Sequence, residues 1–84
     1  SAGNSFSITG TTTINAITTT NWQAGSVIIL IFASTPTVKH NTAGGASTAK
    51  MLLNGGVDFS ASANDVLTLI YDGTNFLEVS RSVN

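Results

Sequence analysis

The sequence predicts an all-β domain of sandwich or barrel kind. Three observations carry that expectation. β-Branched residues dominate, and Ala, Glu, Lys and Leu do not recur at helical spacing. Gly or Asn punctuates the chain roughly every 8 to 12 residues, the spacing of short strands joined by turns. Two stretches, "SVIILIF" and "DVLTLIY", are apolar almost throughout.

Taken in order, Ser5–Thr9 reads as a short opening strand that Gly10 turns. Thr11–Thr19 follows as a strand anchored by Ile14 and Ile17. Asn21–Gly25 is a turn carrying Trp22. Ser26–Ala33 is a fully apolar strand, and Pro36, which cannot donate to a ladder, ends it or opens an edge strand. Thr37–His40 is short. Asn41–Ala49, rich in Gly, Ala and Thr, reads as a loop. Lys50–Leu53 is a strand, Asn54-Gly55-Gly56 a turn, Val57–Ser60 a short strand and Ala61–Asn64 a loop. Asp65–Tyr71 and Phe76–Ser82 pair as a hairpin around Asp72-Gly73-Thr74-Asn75, whose Asp-Gly is a turn signal.

Alternate residues of a strand face opposite sides. Val27, Ile29 and Ile31 therefore oppose Ile28, Leu30 and Phe32, and neither set is polar. In the hairpin, Leu67, Leu69 and Tyr71 oppose Val66, Thr68 and Ile70. The wholly apolar set is expected to face the core. The set containing Thr68 is expected to face a second copy of the chain, because a sheet face exposed to water would be polar.

The chain of 84 residues makes one domain, residues 1–84, too small to bury much surface alone. It contains no cysteine, which removes disulfides and thiolate metal sites and leaves oligomerisation as the common source of further burial. Only 8% of residues are charged and the net charge is −1, with three Lys and Arg in all. That set cannot track a phosphate backbone, so no nucleic-acid partner is expected. No run reaches the ~18–20 apolar residues of a membrane-spanning helix. No charged segment precedes an apolar one in the manner of a signal peptide.

The segments "NWQAGSVIILIF", "TVKHN", "MLLNGGVD" and "NDVLTLIYDGTNFLEVSRS", in that order, resemble the small C-terminal head domains of bacteriophage tail fibres and tailspikes and of related virion appendages. The likeness runs from Gly10 to Ser82 and is most specific at the end; many of those relatives show Trp where Phe76 stands. It implies a small antiparallel β-sandwich, jelly-roll-like, assembled as a homotrimer at the end of a longer fibre or spike protein. It also implies a virion location, host-surface receptor binding, with a polysaccharide as one class of receptor, and no cofactor. The alternative is a free-standing lectin-like carbohydrate-binding domain.

Candidate residues follow from chemistry. Trp22, Tyr71 and Phe76 are the aromatics best able to stack on a sugar or receptor. His40, Val66, Thr68 and Ile70 are candidate subunit contacts. Catalysis is not expected: His40 is the only histidine, and neither a G-x-S-x-G motif nor a cysteine accompanies it. Asp58, Asp65 and Asp72 are spaced for turn capping rather than for one calcium loop, so no metal is expected. Glu78 and Arg81 fall on opposite faces unless a bulge intervenes. Gly44-Gly45 lacks the Lys-Ser/Thr and the helix of a phosphate loop.

Overall fold

A computed structural model describes residues 5–20 and 22–84. The strands are β1 (Ser5–Ile8), β2 (Ala16–Thr18), β3 (Val27–Phe32), β4 (Thr37–Val38), β5 (Thr48–Leu52), β6 (Phe59–Ser60), β7 (Val66–Tyr71) and β8 (Phe76–Ser82). A 3-10 turn spans Asn54–Gly56, and the described residues form no helix able to cross a membrane. The all-β expectation therefore holds. Six strands form one curled sheet in the order β1-β3-β7-β8-β5-β2, and β4 and β6 form a separate ribbon.

The sheet is mixed, which corrects the antiparallel expectation. β1 runs parallel to β3, and β5 parallel to β8. The central β3–β7–β8 portion is antiparallel. A parallel neighbour needs a long connection rather than a turn, and each of these pairs has at least one other strand between its members in sequence.

Boundaries shift where side chains decide them. The long strand expected over Thr11–Thr19 contracts to Ala16–Thr18, with Ile14 making one isolated bridge to Val38. Asn21, placed in the expected turn, lies outside the described residues. The loop expected over Asn41–Ala49 gives its last two residues to β5. Within the Asn-Gly-Gly turn, Gly55 (φ 79°) and Gly56 (φ 68°) are both left-handed, a conformation that costs a side chain but not glycine.

The core lies on the concave side of the curl. Ile28, Leu30 and Phe32 from β3 meet Leu67 and Leu69 from β7, all at most 5% exposed. The apolar set of the hairpin faces the core as expected: Leu67, Leu69 and Tyr71 are buried, while Val66, Thr68 and Ile70 lie on the opposite, partly exposed face. The β4–β6 ribbon adds Val38 and Phe59 to this core, and Phe59 sets its ring edge-on to Phe32 at 6.0 Å. The hairpin turn is closed by Asp72, whose Oδ1 accepts from the Thr74 and Asn75 amides at 2.7 and 2.6 Å. Those two donors, Asn75 foremost, hold the Asp72 carboxyl below its usual range.

Candidate functional site

Two apolar surfaces remain once the core is filled. The first is the convex face of the sheet. Strand pairing sets Val27 beside Ile70, Ile29 beside Thr68 and Ile31 beside Val66. Leu77 adjoins Ile70, and Leu52 adjoins Leu77. Val27 and Ile31 are 39% and 42% exposed. Hydroxyls border the stripe on both sides: Ser5 and Ser7 on β1, Ser80 and Ser82 on β8. Such a stripe, apolar at the centre and polar at the rim, has the anatomy of a contact surface.

The second surface is a groove at the open seam of the curl. β1 and β2, the two ends of the sheet, face each other across it. Its lining includes Ile8, Ile14, Ile17, Ile28 and Leu30, and its volume is about 360 Å³. Phe6 and Trp22 stand at it as an edge-to-face pair with centroids 5.9 Å apart.

Lys39, Arg81 and the four carboxylates are fixed within the chain. Val79 is the extra residue of a bulge in β8, between Ser80, paired with Thr68, and Glu78, paired with Leu69. The bulge resets the alternation and puts Glu78 and Arg81 on one face. Arg81 donates from Nε and Nη2 to the two Glu78 oxygens, both at 2.8 Å, and the Asn54 amide donates to Glu78 Oε1 at 2.8 Å. Arg81 also lies over the Phe59 ring, 4.3 Å from its centroid. The guanidinium foremost, aided by the Asn54 amide, lowers the Glu78 carboxyl against the opposing effect of burial. The pair borders an open groove of about 650 Å³ between residues 52–55 and 77–81.

His40 accepts the Leu53 amide on Nδ1 at 2.9 Å, and its own amide donates to Asp58 Oδ1 at 2.8 Å. That bond, then Lys39 at 2.9 Å, lowers the Asp58 carboxyl. Asp65 is buried and accepts the Ser62 and Asn84 amides at 2.8 and 2.9 Å. All three aspartates thus serve turns and strand ends, and among the described residues no three metal-ligating side chains cluster.

The structure brings three of the four candidate contact residues together. Val66, Thr68 and Ile70 share the convex stripe, while His40 is turned to its own chain. Of the candidate receptor aromatics, Tyr71 and Phe76 are corrected. They stack on each other at 4.7 Å inside the core, 9% and 0% exposed, and have no ring face to offer a ligand. Burial of the aromatic area on the inward side of the hairpin won over its use in binding. Trp22 alone stays accessible, and its partner Phe6 was not foreseen; the alternation in "SFSI" was the available signal. Compared with known families, with curated proteins and with solved structures, the chain matches none.

Proposed function

We propose that this chain is a non-catalytic structural and adhesive module that assembles with copies of itself through the convex stripe of β3 and β7. The stripe is the observation that carries the reading. Val27, Ile29, Ile31, Val66 and Ile70 form a continuous apolar surface on a domain of 84 residues that has no disulfide to stabilise it. Copies arranged around one axis would bury this face against one another and cover the side of the sheet that the isolated chain leaves open. The resemblance to tail-fibre and tailspike heads supplies the rest: a homotrimer at a virion tip, at the end of a longer protein, binding a host-surface receptor. The lectin-like alternative is weakened by the burial of Tyr71 and Phe76 and rests on Trp22.

The test is Thr68→Lys. Thr68 points outward between Ile29 and Ser80, so a lysine there is solvated in a lone chain and unpaired in a contact. The unaltered chain should run as a trimer at micromolar concentration in size exclusion with light scattering. Thr68→Lys should dissociate it while circular dichroism stays that of a β protein. A well-dispersed monomer of the unaltered chain refutes self-assembly, and an unchanged mass for the variant refutes the stripe as its site.

A further inference from the structure

The seam groove is a separate feature from the convex stripe, and its edges are strand backbone. Among the described residues β1 pairs only with β3, and β2 only with β5. Among the described residues, no other backbone partner meets the groove-side edge of β1. Natural sheets protect such edges with charges, proline, bulges or brevity. "SFSI" and "AIT" carry no charge and no proline, so brevity is the only one of these devices present. Behind the edges lies an apolar floor, Ile17, Ile28 and Leu30, with Phe6 40% exposed at the mouth. The lining contains no charged residue, and Ser7 and Thr18 are its hydroxyl-bearing residues.

We propose that this seam takes an extended strand of a partner polypeptide, uncharged and apolar at alternate positions, which adds to the free edge of β1. Its inward side chains lie against Ile17 and Ile28 and beside the Phe6–Trp22 pair. Three features select that occupant. An unpaired edge beside apolar side chains needs amide donors and acceptors, which a strand supplies and a small apolar molecule does not. A sugar needs converging polar groups, and two hydroxyls do not surround one. A charged strand would lose hydration with no counter-charge to meet it.

Trp22 is the chain's only tryptophan, so its emission reports on the seam alone. The probe is the capped peptide acetyl-Thr-Val-Thr-Val-Thr-amide, set against the same peptide N-methylated on alternate amides. Methylation removes the donors of one edge and leaves the side chains. The unmethylated peptide should shift Trp22 emission to the blue and saturate below millimolar. The methylated peptide should bind at least about tenfold more weakly, the factor that roughly one hydrogen bond's worth of affinity represents. Phe6→Ser, at an exposed position, should keep the dichroism of the unaltered chain and weaken the peptide severalfold. Thr68→Lys should bind it unchanged, which separates this site from the self-assembly contact. Equal binding of both peptides would make the seam an apolar-ligand pocket and overturn the proposal. So would absence of a Trp22 response at millimolar peptide, or a response to protein dilution alone, which would place a second copy in the seam.

Discussion

Replacing Arg81 by Met should destabilise the domain more than a surface ion pair of ordinary kind would suggest. The Glu78 side chain is only 3% exposed, and both of its oxygens accept from Arg81. Methionine removes the guanidinium that lies over Phe59 and leaves the carboxylate with the Asn54 amide alone. Removing one partner of a fully buried pair costs ~3–5 kcal/mol; with the Arg81 side chain 25% exposed, water relieves part of that, and about 2–3 kcal/mol is expected. In a domain of this size that corresponds to a fall in melting temperature of about 10–20 °C. The pH dependence has a definite sign. The folded Glu78 carboxyl is held below its ordinary value of 4.5, so its contribution is complete above that pH. It is lost as the pH falls through the folded value, because the unfolded chain takes up the proton first. Glu78→Gln should therefore be less stable than the unaltered chain at pH 7, and the difference should shrink in acid. Some acid sensitivity persists in the variant, since Asp58 and Asp72 are also held low. The assay is thermal melting by circular dichroism at one fixed protein concentration, from pH 7 down to about 3. An Arg81→Met variant melting within about 3 °C of the unaltered chain at pH 7 would refute this account of the bulge.

Gly44→Ala should destabilise by about 1–2 kcal/mol, because the new Cβ would stand 2.7 Å from Ala16 Cβ and 2.8 Å from Thr48 Oγ1. Gly45→Ala, with nothing within 4 Å, is the control and should melt unchanged; equal melting of both variants refutes the close approach. His40→Ala should cost about 1 kcal/mol by leaving the Leu53 amide without its acceptor. Hydrogen exchange should then show that amide losing protection while the β7 amides keep theirs, and retained protection at Leu53 would contradict the bond.

Side-chain alternation made the centre of the fold legible. It separated Leu67, Leu69 and Tyr71 from Val66, Thr68 and Ile70, and Asp-Gly located the hairpin turn. It could not show strand order. The parallel pairings of β1 with β3 and β5 with β8 join distant segments, and no local residue type encodes them. Strict alternation also misplaced the Glu78–Arg81 pair, because the bulge at Val79 is a property of the β7–β8 ladder rather than of "LEVSR". At the candidate site, the convex stripe followed from composition. The seam did not, because it exists only where the curl brings the two ends of the sheet together. Tyr71 and Phe76 were misjudged for a related reason: an aromatic beside a turn is accessible or buried according to which side of the sheet it occupies.

The strand order also sets a timetable for synthesis. "VIILIF" has no charged residue and no proline, the kind of segment that pairs with its like when left uncovered. Its antiparallel partner is β7, and Ile28 waits for Leu69, 41 positions later. At about 5–20 residues per second of translation, the emerging strand stays without that partner for roughly 2–8 s. On a polysome, where nascent copies of one chain emerge side by side, that interval is when β3 is most able to find the β3 of a neighbour. A slower ribosome lengthens it, and a chaperone that holds extended apolar segments would act on this stretch before any other.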